Sequence, residues 1–371
     1  RDVERSRGLG DVYKRQIYYQ IRERQPLRRL IPVISFLILA STAFWGILQY
    51  AKIQEDLKKQ TSVKAQTIKI CTDLQSNILD EIGKEFYAET GFQIEIIRMT
   101  AEQLGSNGHQ GIGEADIFLT SQTNLEELKK NKALRSYSSE STDTALEQFK
   151  DFEGTWTGIW LDPIVFVVNK EFAARHSLLN YNWNNIMTSP QIRLSMTDFI
   201  AADMAEDLLL SMAEHFGITE ALYLLSEGNS HIVQYGKYLS TPSRMAGMGK
   251  CDIGISSYNE AMRAQKENLP LQIMYPTDGT SWYLYGIGLS ADSKEPELGQ
   301  KLMNWLLTPT HYKKVMQDNG CYFIYVNDST LPADTNGNPL NYWELEKKYV
   351  DEGKKILLNE WIEQVRFRRI S

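Results

Sequence analysis

From Leu30 to Tyr50 the chain runs for 21 residues without a charge. As a helix rising ~1.5 Å per residue, that run covers roughly 30 Å, the depth of the hydrocarbon core of a bilayer. Arg22, Arg24, Arg28 and Arg29 stand just before it, with Lys14 and Arg15 further back. Lys52, Lys58 and Lys59 follow it, diluted by Glu55 and Asp56. The more basic flank stays in the cytosol, so residues 30–50 are expected to form a single transmembrane anchor with the body outside the cell. Trp45 and Tyr50 at the outer end suit the membrane interface. A buried core helix would show a polar face, which this run lacks. Cleavage near Ser41-Thr42-Ala43 would instead make it a secretory signal. Residues 1–29 read as a short cytoplasmic tail, of which residues 1–16, charged and aperiodic, resemble translated adapter sequence and carry no weight in the fold.

The charge is divided unevenly. Residues 1–50 carry 9 Lys+Arg against 4 Asp+Glu, and the rest carries 31 against 43, a net of −12. A body this acidic lacks the basic surface that displaces counterions from phosphates, so no nucleic-acid partner is expected. Three cysteines, Cys71, Cys251 and Cys321, exclude a disulfide scaffold and a four-cysteine zinc cluster. They are expected as free thiols.

After a polar linker over residues 51–66, strands and helices alternate. Thr67–Ile70 reads as a strand. Ile78, Leu79, Ile82 and Phe86 recur at helical spacing up to Gly91, and Phe92, Ile94 and Ile96 alternate as a second strand. Ala115–Leu119 is a third strand, and Thr123 with Glu126 forms a capping box for the helix Leu125–Lys132. The apolar run Ile164–Val168 is a buried strand, and Ala201–Phe216 is a helix stopped by Gly217. Cys251–Ser256, Leu271–Tyr275 and Trp282–Leu289 are strands, Glu295–Leu307 and Thr310–Asn319 are helices, and Tyr342–Phe367 is largely helical. This rhythm implies an α/β fold with mainly parallel sheets, and 371 residues suit two lobes.

Catalytic signatures are missing. There is no G-x-S-x-G elbow, Walker loop or H-E-x-x-H motif, and Gly111-Ile112-Gly113 and Gly247-Met248-Gly249 lack the third glycine of a dinucleotide fingerprint. The five histidines, His109, His176, His215, His231 and His311, are scattered. No enzyme activity, cofactor or metal is expected. In open α/β sheets, ligands bind beyond the carboxyl ends of the strands. The loops placed there carry Thr72-Asp73, Thr120-Ser121, Thr197-Asp198 and Ser257-Tyr258, each leading toward a helix N-terminus. These residue types also favour N-caps for their own sake. Four such loops in a two-lobed chain point to a ligand cleft.

Several segments carry a family likeness: IKICTDLQSNILDEIGKEFYAETGFQIEII (Ile68–Ile97), ADIFLTSQTNLEELKKNKAL (Ala115–Leu134), YNWNNIMTSPQIRLSMTD (Tyr181–Asp198), GKCDIGISSYNEA (Gly249–Ala261) and Tyr275–Pro309. In this order and spacing, Thr67–Asn327 resembles the extracytoplasmic solute-binding proteins of ABC importers, in the branch of ferric-iron, phosphonate and polyamine binders. The resemblance implies a two-lobed periplasmic-binding-protein-like (type 2) fold with two crossover hinge strands, near Gly158–Val168 and Pro276–Gly286. Lobe 1 would take residues 67–160 and 281–371, including the C-terminal helix, and lobe 2 residues 161–280. A small molecule or ion would lie between the lobes of a monomer that docks on permease subunits. The ferric branch carries adjacent tyrosines where this chain has Ser257-Tyr258, a departure that weighs against iron. Trp156, Trp160, Tyr258, Trp282, Tyr283 and Tyr285 make the hinge region aromatic, and alternate residues of Ser281–Tyr285 must face inward. Asp162 and Asp278 near the hinges could pair with an amine or be solvated turn residues. The expected ligand contacts are Thr72, Asp73, Thr120, Ser121, Asp162, Thr197, Asp198, Ser257, Tyr258 and Trp282. A sensor ectodomain of the same fold and an extracytoplasmic enzyme are the alternatives.

Overall fold

The computed structural model describes residues 32, 35–54, 67–74, 76–99, 114–327, 340–343 and 351–367. The chain divides into two units, residues 1–65 and 66–371. In the first, Ser35–Gln54 is a 20-residue helix of mean hydropathy 1.4. Phe36, Leu37, Leu39, Phe44 and Trp45 on it are exposed, as apolar residues of an anchor or signal segment are outside a bilayer. The helix continues through Ala51–Gln54, where a linker was expected, because Lys and Gln propagate a helix as well as apolar residues do. The expected 1–29 tail, the remaining linker, His109, the Gly111-Ile112-Gly113 run and the 344–350 part of the C-terminal helix lie outside the described residues.

The second unit opens with β1 (Thr67–Thr72), α1 (Ser76–Thr90) and β2 (Gln93–Arg98). Ile78, Leu79, Ile82 and Phe86 of α1 are buried in one stripe, and Gly91 ends the helix at φ +75°, a left-handed conformation that suits glycine. β3 (Ile117–Ser121) leads into α2 (Gln122–Lys130), and β4 (Leu134–Arg135) and the long β5 (Trp156–Asn169) follow. Next come α3 (Trp183–Thr188), β6 (Leu194–Thr197), α4 (Asp203–Phe216), α5 (Ile218–Asn229), β7 (Ile232–Gly236), α6 (Thr241–Gly247), β8 (Ile253–Ser257), α7 (Tyr258–Lys266) and β9 (Leu271–Met274). The chain then returns through β10 (Trp282–Ser290), α8 (Pro296–Leu306), α9 (Lys313–Asp318), β11 (Ile324–Tyr325) and α10 (Asp351–Trp361).

The strands join in the order β2-β1-β3-β10-β5-β8-β6-β7, with β9 and β11 also on β5 and β4 on β10. β5 belongs to both halves of this arrangement. Its first part pairs with β10 from Trp156 to Pro163 and with β11 at Trp160 and Leu161. Its second part pairs with β8 from Ile164 to Val168 and with β9 from Phe166 to Asn169. All fourteen residues of β5 are buried, which is why it reads as a near-continuous apolar run rather than an alternating one. The return crossing is residues 275–281, between β9 and β10. Among the described strands, β1–β2, β1–β3, β6–β7 and β6–β8 pair parallel. β5 and β10 pair antiparallel with their neighbours, so the expectation of mainly parallel sheets is corrected. A chain that leaves one lobe and returns re-enters each sheet in the opposite direction.

Each lobe has its own core. Ile68, Ile70, Phe86, Ile117, Trp160, Ile287, Leu302 and Tyr312 belong to the first. Phe166, Trp183, Leu194, Leu209, Leu225 and Ile253 belong to the second. Leu357, Trp361 and Val365 of the C-terminal helical segment also enter the second core, not the first as expected. They recur every fourth residue as one apolar stripe, and Phe199, 4.8 Å from the Trp361 ring, receives it.

Between these regions, Gly279 has φ +96°, and a Cβ there would lie 2.6 Å from Trp343 Nε1. Gly279→Ala is expected to cost roughly 1–3 kcal/mol through backbone strain and crowding, seen as a lower urea midpoint. An unchanged midpoint would contradict the packing of Trp343 on this turn.

Candidate functional site

The predicted loops all emerge at carboxyl ends of strands. Thr72 ends β1, Thr120 and Ser121 end β3, Thr197 ends β6 and Ser257 ends β8. Their hydroxyls do local work first. Thr72 Oγ1 accepts the Leu74 N–H at 3.1 Å, Ser121 Oγ accepts the Asn124 N–H at 3.3 Å, and Ser257 Oγ accepts the Glu260 N–H at 3.3 Å. Ser121 is therefore the N-cap of α2, and the expected Thr123–Glu126 capping box is not formed. β3 runs straight into the helix, and Glu126 instead accepts the Trp156 Nε1–H at 3.1 Å.

Two constellations form around these ends. In the first, Asn124 Nδ2 donates to Asp73 Oδ2 at 3.0 Å and to Thr120 Oγ1 at 2.8 Å, which orients the Asp73 carboxylate. Burial pushes Asp73 above the usual carboxylate range, and the charge of Asp203 adds to this against the hydrogen bonds from Thr120 and Asn124. Tyr283 and Tyr285 of β10 stand edge to face with ring centroids 5.1 Å apart. Burial raises both phenols. Tyr283, which hydrogen-bonds Ser121, also feels Asp207, Asp73 and Asp203, and Tyr285 also feels Asp73, Asp162 and Asp203. Asp73 of the first lobe and Asp203, in the first turn of α4 in the second, thus act on both phenols, and Asp207, one turn further along α4, acts on Tyr283. Lys354, which offsets part of this charge, is bound to Glu206 at 2.9 Å.

In the second constellation, Asp162 is 2% exposed and sits where β5 passes between lobes, opposite Tyr283. It accepts the Asn259 N–H at 2.9 Å. Burial pushes its carboxyl up to about 7, opposed by hydrogen bonds from Asn259, Ser257 and Tyr258 and reinforced by Glu260. The Tyr258 and Tyr275 rings stack 6.1 Å apart, their phenols hydrogen-bond, and the buried Tyr342, whose hydroxyl has no hydrogen-bond partner among the described residues, adds its phenol to the same field. Three phenols therefore gather where the sequence offered one.

Three expected contacts lie elsewhere. Asp198 Oδ2 is bound to Arg366 Nε at 3.0 Å, and Thr197 Oγ1 donates to the Tyr238 carbonyl at 3.5 Å. Trp282 packs edge to face on Phe149 at 5.3 Å and donates its Nε1–H to the Trp343 carbonyl at 2.8 Å, so its indole is a core element. Asn124, Asp203, Asp207, Tyr275, Tyr283, Tyr285 and Tyr342, which the structure brings into these constellations, are not among the expected contacts. The β10 alternation was the available signal: Trp282 and Leu284 are buried, and Tyr283 and Tyr285 are half-buried on the opposite face. Among the described residues, no three His, Cys, Asp or Glu side chains group as a metal site.

Two α/β lobes joined through a shared strand, with polar groups collected at the strand ends, define the fold of the substrate-binding components of ABC importers. Residues 71–321 match the bacterial extracellular solute-binding proteins, and the chain belongs to that family. An uncharacterized protein of Haemophilus influenzae is 22% identical over 249 residues, covering 64% of this chain and 71% of its own. The fructose-6-phosphate-bound periplasmic binding protein AfuA of Actinobacillus pleuropneumoniae superposes with a TM-score of 0.62 at 17% identity, over 81% of this chain and 99% of its own. The ferric binding protein of Campylobacter jejuni does so at 0.63 and 18%, over 80% and 99%. At such identities these likenesses establish the fold.

Proposed function

We propose that this chain captures a positively charged solute between its lobes outside the cell and presents it to an ABC permease, unchanged, as a monomer tethered by the Ser35–Gln54 helix. The observation that carries the reading is the set of carboxylates from both lobes, Asp73, Asp203 and Asp207, around Tyr283 and Tyr285. Carboxylates balance a cation, and phenol rings attract one over their faces. A phosphate would need Arg, Lys or helix N–H donors instead, and two carboxylates, Asp203 and Glu206, occupy the first turn of α4. The contact set is Asp73, Ser121, Asp203, Asp207, Tyr283 and Tyr285, with Asp162, Ser257 and Tyr258 beside it.

A second reading is a hard metal cation, favoured by the oxygens of Asp162, Tyr258, Tyr275 and Tyr342 and by the likeness to ferric binding proteins. A thermal-shift comparison of spermidine, ferric citrate and fructose 6-phosphate separates the cases. A solute at 100-fold over its Kd stabilises by about 2.7 kcal/mol. Spermidine is expected to raise Tm, and Asp73→Asn to weaken that effect at least tenfold in Kd. Stabilisation by the sugar phosphate alone would overturn the charge argument, and a shift with ferric citrate that Tyr258→Phe removes would select the metal reading. Spermidine recovered intact after incubation would separate binding from turnover.

A further inference from the structure

Asn259 links the two lobes in a way the solute site does not require. Its main-chain N–H is held by Asp162 Oδ1 at 2.9 Å, in the strand that passes between the lobes. Its side-chain Oδ1 accepts the Tyr322 N–H at 2.8 Å. Asn259 lies in the first turn of α7, whose Ala261 and Ala264 pack on Val165, Val167 and Cys251 of the second lobe. Tyr322 follows α9, whose Met316 lies in the first-lobe core, with Cys321 and Phe323 packed against it. One residue therefore touches the hinge strand through its backbone and the opposite lobe through its side chain.

We propose that Asn259 is the latch of lobe closure: the Asn259–Tyr322 contact forms only when the lobes meet, and Asp162 fixes the helix end that presents it. The proposal rests on the reading of the cleft as one that closes. Its test needs no solute, so its failure and the failure of that reading are separate results. Parting the lobes would break the Tyr322 contact and hydrate Asp162. In this structure Asp162 faces Glu260 and Tyr258 on its own side, Tyr275 beyond them, Tyr285 from β10 and Cys321 from the opposite lobe. Arg263, paired with Glu260 at 2.8 Å, is a cation on the same helix. Burial raises the Asp162 carboxyl, so closure takes up a proton, and raising the pH through neutrality favours the open form, where the carboxylate meets water.

The test is a spin-label distance measurement on the full chain in nanodiscs, in a Cys321→Ser background, with labels at Tyr87→Cys and Tyr223→Cys. Both tyrosines are about half exposed, one on each lobe. Asn259→Ala is expected to raise the long-distance population at least fivefold at pH 6 with unchanged circular dichroism. Asp162→Asn keeps an acceptor for the Asn259 N–H and is expected to preserve the short distance at both pH 6 and pH 8.5, whereas the parent protein lengthens at pH 8.5. A folded Asn259→Ala protein with the parental distances would overturn the latch. Equal pH responses of the parent and Asp162→Asn would remove the role of Asp162 in it.

Discussion

Trp160→Ala is expected to lower the unfolding free energy by about 3–5 kcal/mol, the range for truncating a large buried aromatic. Trp160 is fully buried at the middle of β5. Its ring stacks on Phe323 at 5.9 Å and meets Tyr312 and Tyr285 edge on at 6.2 and 6.4 Å. Its Nε1–H donates to the Tyr312 hydroxyl at 3.1 Å. The cavity would open beneath the strand that both sheets share. Urea denaturation of residues 66–371 should therefore show one transition moved to a lower midpoint with little change in slope. Two resolved transitions would mean that the lobes unfold separately and that β5 does not couple them. A loss below about 1 kcal/mol would contradict the packing around the indole.

The second large effect is on the pH dependence of stability. Asp162 is raised in the folded state from 3.8 to about 7 because burial disfavours its charge. A carboxyl whose folded value is raised binds its proton more tightly in the native state. Its contribution is therefore most favourable below the unfolded value, near pH 4, and is lost as the pH climbs to about 7. The parent protein is expected to lose stability between pH 5 and pH 8 by a few kcal/mol attributable to this group. Asp162→Asn should flatten that slope and be the more stable protein at pH 8, where the parent must hold a buried charge. Chemical denaturation at four pH values reads this directly. Parallel profiles for the two proteins would show that Asp162 is not the group responsible.

What the sequence made legible were features fixed by local chemistry. The 21 uncharged residues before the body announced a membrane-length helix, and Ile78, Leu79, Ile82 and Phe86 announced α1 by their spacing. Thr72, Thr120, Thr197 and Ser257 were correctly placed at strand ends, because β-strands ending in hydroxyl residues before a helix are a local pattern. The site was harder to read because it depends on contacts between distant segments. Asp203 and Asp207 read as ordinary acids near the start of a helix until α4 is placed against β10. Trp282 was favoured over Tyr283 because alternation shows that two faces exist without showing which one meets the core. Asp198 was grouped with the other strand-end residues because nothing near it in sequence discloses that Arg366, toward the far end of the chain, pairs with it. The placement of the C-terminal helix failed for a related reason: an apolar stripe at Leu357, Trp361 and Val365 requires a partner but does not name one.

The polypeptide is made and exported from its N-terminus, and the first lobe's β1–β3 unit can begin to fold as soon as it emerges. The interior built by residues 164–255 cannot be sealed until Trp343, Leu357, Trp361 and Val365 have also arrived, because those side chains are part of it. During synthesis the half-finished lobe would expose its greasy inner face for more than a hundred residues of elongation, a window in which extracytoplasmic chaperones or proteases have the choice of the nascent protein.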